Sequence, residues 1–157
     1  MNLAPMDLLQ PLALPPHPFK LTDDNGQLFI FDEIRKRKIM LTPEEWVRQH
    51  FIHYLIHTCK FPKTLFKVET GLVYNTLNKR SDIKVYNRQG SVFMLVECKA
   101  YSIPISSYTL KQIAAYNKTI EAEWLVVTNG FDHFVFQREG EGDAMQFAKR
   151  TALPIFG

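Results

Sequence analysis

The run Val92-Phe93-Met94-Leu95-Val96 is apolar at every position and closes on Glu97-Cys98-Lys99. A strand that is apolar on both faces must be covered on both, which makes it a central strand rather than an edge. Side chains two apart on a strand share a face. Glu97 and Lys99 therefore emerge together at the strand end, and Cys98 points the other way. Holding an acid and a base at the end of a hydrophobic strand costs desolvation free energy. Asp82, on the strand expected before it, adds a second carboxylate. Two carboxylates and one ammonium are the set that a divalent cation and a scissile phosphate require.

The elements around this strand follow from local signals. Thr42-Pro43-Glu44-Glu45 opens a helix: Thr42 can cap it, Pro43 suits its first position, and Glu45 completes a capping box. Val47, Phe51, Tyr54, Leu55 and Thr58 recur at helical spacing, so the helix is expected to run to about Cys59, before Pro62. Residues 64–74 and 82–86 read as strands, with Ile83 and Val85 on one face and Asp82, Lys84 and Tyr86 on the other. Asn87-Arg88-Gln89-Gly90 is a hairpin turn. A second helix is expected from Ser106 or Ser107 to Ile120, then strands over 124–128 and 134–137 joined by Asn129-Gly130, and a short strand over 144–147. The helix after Lys99 acts as a crossover, so the 124–128 strand should lie parallel to the central one. The expected fold class is α/β, a mixed central β-sheet flanked by helices.

Residues 1–26 hold five of the nine prolines, which exclude a regular helix. They are read as a proline-rich arm whose leucines pack on the body or on a partner subunit. Residues 27–157 form the single remaining domain, beginning with a short strand over 27–31. Hydrophobic content of 46% and charged content of 22% suit a globular protein. No apolar run approaches a membrane span, and the start lacks a signal-peptide pattern, so a cytoplasmic location without a membrane partner is expected. Cys59 and Cys98 do not make a disulfide framework. A net charge of +3 is compatible with nucleic acid without demanding it.

The set Ser81-Asp82, Glu97-Cys98-Lys99 and, on the following helix, Gln112-Ile113-Ala114-Ala115-Tyr116 resembles the PD-(D/E)xK nuclease superfamily with its Q-xxx-Y motif. Ser81 stands where the family's leading proline would be, and the aspartate that ligates metal is retained. The wider stretch from Leu41 to Phe131 is similar to the N-terminal nuclease domain of type I restriction enzyme R (motor) subunits. Thr42-Pro43-Glu44-Glu45-Trp46-Val47-Arg48-Gln49, Val68-Glu69, Val96-Glu97-Cys98-Lys99 and Val127-Thr128-Asn129-Gly130 carry that likeness.

The resemblance implies a restriction-endonuclease-like core and a Mg²⁺-dependent DNA endonuclease, with Mn²⁺ as substitute. Asp82, Glu97 and the backbone carbonyl of Cys98 would ligate the metal, with Glu45 or Glu69 as a candidate further acid. Lys99 would orient the attacking water, and Gln112 and Tyr116 would hold that water or the DNA backbone. DNA is the expected partner. A homodimer and motor or specificity subunits are candidate partners, since the chain carries no Walker A pattern of its own. The alternative is a catalytically inactive nucleic-acid-binding or assembly module on the same fold.

Plainer readings stand beside these. Asp82–Lys99 or Glu97–Lys84 could be ordinary surface ion pairs. Glu45 reads first as a cap residue, and Glu69 equally as an exposed edge charge. Arg35-Lys36-Arg37-Lys38 could grip phosphates but reads first as a solvated loop or strand edge. His50, His53 and His57 have spacing that permits a metal site. No cysteine or acid completes a set, so they read as a surface stripe.

Overall fold

The computed structural model describes residues 5–68 and 83–157. The expected central strand is β6 (Val92–Cys98), in a six-stranded sheet ordered β4-β5-β6-β7-β8-β9, with β4 Phe66–Val68, β5 Ile83–Tyr86, β7 Trp124–Thr128, β8 His133–Glu139 and β9 Gln146–Arg150. The β6–β7 pair is parallel and the others antiparallel. The sheet is mixed because the helix between β6 and β7 returns the chain to the same end, as a crossover must.

Each face of β6 carries its own helix. Val96 and Cys98, with Ile83, Val85, Met94 and Val126, pack against Val47, Phe51, Ile52 and Leu55 of α1 (Pro43–His57). Leu95, with Leu125 and Val127, packs against Leu110, Ile113 and Tyr116 of α2 (Ser107–Ile120). Thr42 caps α1 by accepting the Glu45 N–H at 3.0 Å, and Ser106 caps α2 by accepting the Thr109 N–H at 3.3 Å. α1 ends at His57, two residues short of the expected end, with Thr58 as its C-cap. The α2 end is closed by Asn117, whose buried amide exchanges two hydrogen bonds with Ala122 while Glu121 turns at φ 62°.

Beside the large sheet lies a small antiparallel one of β1 (Leu21–Asp24), β2 (Gln27–Asp32) and β3 (Arg37–Met40). Only β2 has a hydrophobic alternation, with Leu28 and Ile30 buried against Leu41 and Trp46. The polar β1 and β3 are held by pairing with β2, which is why their sequence carries no strand signal. The proline-rich residues lie on the body. The Trp46 indole donates to the Gln10 carbonyl at 2.7 Å, the Ala13 N–H to Gly130 at 2.8 Å, and Tyr101 Oη to Asp7 at 3.1 Å. The last strand is Gln146–Arg150, two residues later than its expected start. Cys59 and Cys98 are both buried, and neither is in a disulfide.

Candidate metal and phosphate site

The β5–β6 register sets the site. Ile83 pairs with Val96 and Lys84 with Leu95, and directly paired antiparallel residues project to the same face. Lys84, Leu95 and Glu97 therefore share the α2 face, and Ile83, Val96 and Cys98 face α1. Cys98 is fully buried there. The parallel pairing ends at Cys98–Thr128, and one step further the Lys99 N–H donates to the Thr128 carbonyl at 2.8 Å. That bond fixes the backbone of Lys99 just beyond the strand.

Lys99 Nζ then lies 3.5 Å from Glu97 Oε1. The side chains are 30% and 23% exposed, so the pair is partly solvated and worth little to stability, in the range ~0–1 kcal/mol. Gln112 and Tyr116 are one helical turn apart on α2, both half-buried. The Tyr116 ring belongs to the cluster around Leu95 and Val127, which puts it on the same side of the sheet as Glu97. Asp82 and Glu69 lie outside the described residues.

From sequence, Lys84 reads only as a possible surface ion-pair partner of Glu97. It is nearly buried, its ammonium stands 5.9 Å from the centroid of the Tyr116 ring, and it is paired across β4–β5 with Lys67. The β5 alternation already turned it away from Ile83 and Val85. The helix α2 over that face brings Lys84 beside Tyr116. Lys67, Lys84 and Lys99 are thus three cations on the side of the sheet that carries Glu97.

Glu45 has a different environment. One oxygen accepts from Arg48 at 2.8 Å, the other from Arg35 at 2.9 Å and Gln49 at 3.0 Å. Arg35 and Gln49 also bind Asp32 Oδ2 at 2.6 and 2.8 Å. Burial alone would raise the Asp32 carboxyl. The Arg35 N–H and guanidinium, with the Gln49 amide, outweigh it and hold Asp32 below the usual carboxylate range. This is a buried ion network on α1, the helix on the face opposite Glu97. Both oxygens of Glu45 are directed into it. Arg35 accordingly departs from the solvated-loop expectation, whereas Lys36, Arg37 and Lys38 are exposed. Arg48 and Gln49 likewise face the helix's own neighbours.

The histidine stripe also departs from expectation. His50 and His53 are buried, and only His57 is exposed. Burial lowers the pKa of His50, and it lowers that of His53 to about 4 with help from His17.

Asn129 closes the loop after β6. Its amide nitrogen donates to the Ile103 carbonyl at 2.9 Å, and its oxygen accepts the N–H groups of Phe131 and Asp132. A cleft of about 690 Å³ lies between the end of α2 and the β8–β9 turn. It contains none of the acid–lysine residues.

A mixed sheet with a helix on each face and an acid–lysine pair at the end of its central strand is compatible with the restriction-endonuclease-like class of α/β folds. Residues 43–154 match the family described as type I restriction enzyme R protein N terminus, and the chain belongs to that family. A search among curated proteins returned no match. Among the described residues no helix is long and apolar enough to cross a membrane.

Proposed function

We propose that this chain is a metal-dependent endodeoxyribonuclease of the PD-(D/E)xK type, working in restriction-modification in the cytoplasm. The observation that carries the proposal is the Glu97–Lys99 pair at the end of β6, a central strand paired in parallel with β7, in a chain of the type I R N-terminal family.

The donor set fits a hard cation. Glu97 offers carboxylate oxygen from a partly exposed position beside Lys99, and Mg²⁺ takes oxygen ligands while retaining water. In this reading Glu97, Asp82 and the Cys98 carbonyl would hold Mg²⁺, or Mn²⁺ in its place. Asp82 is assigned from sequence, as the residue before Ile83, whose partner Val96 precedes Glu97. A bound Mg²⁺ supplies a water of lowered pKa and neutralises phosphate charge. Lys99 orients that water and offsets charge growing on the phosphoryl oxygens. Gln112 and Tyr116 position the water or the DNA backbone from α2. Lys67 and Lys84 add cationic charge on the same face and favour the phosphate backbone. Glu45 is assigned to the ion network, and Glu69 stays a candidate further acid. DNA is the substrate, and motor and specificity subunits are the proposed partners.

The test is plasmid cleavage by the purified chain with Mg²⁺ or Mn²⁺, beside Glu97→Gln and Lys99→Ala. Cleavage by the wild type and its loss in both variants supports the assignment. Equal cleavage by all three would overturn it. Metal-independent, salt-sensitive DNA binding without cleavage, surviving Glu97→Ala, would move the chain to the class of non-catalytic binding or assembly modules.

A further inference from the structure

His17 approaches α1 from the proline-rich segment and completes what the helix alone lacks. Its ring stacks on His53 with centroids 3.7 Å apart and lies 5.3 Å from His57. One ring nitrogen from each of His17, His53 and His57 falls within 4.8 Å of the others. His53 Nδ1 and His57 Nε2 share a hydrogen bond at 3.4 Å, so one of them carries a proton that a metal would displace. Two nitrogens on one tetrahedral Zn²⁺, each bound at about 2.0–2.1 Å, stand roughly 3.3–3.4 Å apart. The helical pair is therefore already at chelating distance. His17 must turn out of its stack on His53 to direct a ring nitrogen at the same ion, and it sits on a segment outside any helix or strand, where no backbone ladder opposes that turn.

We propose that His17, His53 and His57 form a binding site for a transition metal of the zinc class, independent of the carboxylate site at Glu97. Three imidazoles suit zinc and its borderline-soft neighbours and not magnesium, so the two sites select different ions. A cleft of about 170 Å³ lined by the three histidines with Pro15, Pro16 and Tyr54 gives an ion access. Two other charged groups face the cluster: Glu33, whose charge acts on His17 and His53, and Lys63, which binds Glu33 at 2.5 Å. Glu33 is near enough to complement a cation's charge, and water is the natural fourth ligand. Because His17 belongs to the segment before β1 and the other two to α1, metal binding would clamp that segment to the helix.

The experiment is zinc titration of the untagged full chain by calorimetry at neutral pH, for wild type, His17→Ala, His57→Ala and Glu97→Ala. Circular dichroism confirms that each variant is folded. The expected result is one zinc per chain in the wild type and in Glu97→Ala, with affinity at least tenfold weaker in both histidine variants. No zinc binding by the wild type would overturn the proposal. Loss in His57→Ala but not in His17→Ala would overturn it too, leaving a two-histidine helical chelate. Glu97→Ala separates the sites: zinc binding lost there would place the ion at the carboxylates. DNA cleavage lost there with zinc binding intact would leave this site standing whatever the fate of the nuclease assignment.

Discussion

The Lys99 N–H donates to the Thr128 carbonyl one residue past the last pair of the parallel β6–β7 ladder. The backbone of Lys99 is thus fixed independently of its side chain. Lys99→Ala should leave the melting temperature nearly unchanged, since a partly exposed ion pair contributes little. Cleavage in Mg²⁺ should fall roughly 10²–10³-fold, the usual loss for one group stabilising developing charge. A parallel loss of stability and rate, measured by thermal melt and single-turnover kinetics, would contradict that separation.

Lys84→Met keeps an apolar stem beside the Tyr116 ring and removes the charge. If Lys84 contacts a phosphate, DNA affinity should weaken for all sequences alike. The slope of log affinity against log salt should shrink by about 1. Fluorescence anisotropy over a salt series measures both, and an unchanged slope would exclude the contact.

Gly130 has φ +89°, and a Cβ there would meet Leu12 at 3.0 Å and Val47 at 3.2 Å. Gly130→Ala should cost about 1–3 kcal/mol from backbone strain, read from urea unfolding. Part of the cost is collision with Leu12, so Leu12→Ala should relieve it, and a double-mutant cycle should show coupling between the two positions.

Arg35 stands between Asp32 and Glu45, and Asp32 has no exposed surface. Removing one partner of a buried ion network leaves uncompensated charge. Arg35→Ala should destabilise by about 3–5 kcal/mol. The double change Asp32→Asn with Arg35→Ala should cost less than the sum of its parts.

Acid should act on the protein in two stages when a chelator keeps metal away. His53 titrates near 4 in the fold, because of burial first and then the neighbouring His17, against its ordinary value of 6.5. Between these values the unfolded chain takes the proton and the native chain does not, so stability falls as pH drops from 6.5 toward 4. Asp32, held below its ordinary value, contributes fully above about 4 and loses its contribution only at lower pH. Glu33, Lys63, His17 and His57 also face His53 and modulate the first stage. His53→Gln should reduce that stage in a series of melts, leaving the share of His50 and His17, which burial also lowers, and leave the second intact.

The central strand, its parallel neighbour and both helices were legible because burial on two faces and capping chemistry are local signals. The apolar runs at 92–96 and 124–127 needed no partner to be recognised. β1 and β3 were not legible, since Leu21-Thr22-Asp23-Asp24 and Arg37-Lys38-Ile39-Met40 become strands only by pairing with β2. Within the candidate site, Glu97 and Lys99 stood out as charges ending an apolar strand, and the structure pairs them. Lys84 reads from sequence only as a possible ion-pair partner of Glu97, because its place beside Tyr116 depends on the helix above it. Glu45 reads as a cap from sequence, and no periodicity reveals that Arg35 folds back onto it. The approach of His17 to His53 crosses three strands of intervening chain, a separation that spacing rules do not reach. Asp82 and Glu69 lie outside the described residues and keep only their sequence assignment.

The alternation along β6 separates two kinds of change. Met94, Val96 and Cys98 meet the α1 core, whereas Leu95 and Glu97 meet α2 and the candidate site. Substitutions at Met94, Val96 and Cys98, and at Leu95 buried against α2, should disturb how firmly the molecule holds together, whereas Glu97 can be exchanged with little penalty to folding. A lineage could therefore lose or regain the chemistry at this position while the scaffold persisted unaltered, so cutting and merely binding versions of the same architecture can lie one substitution apart.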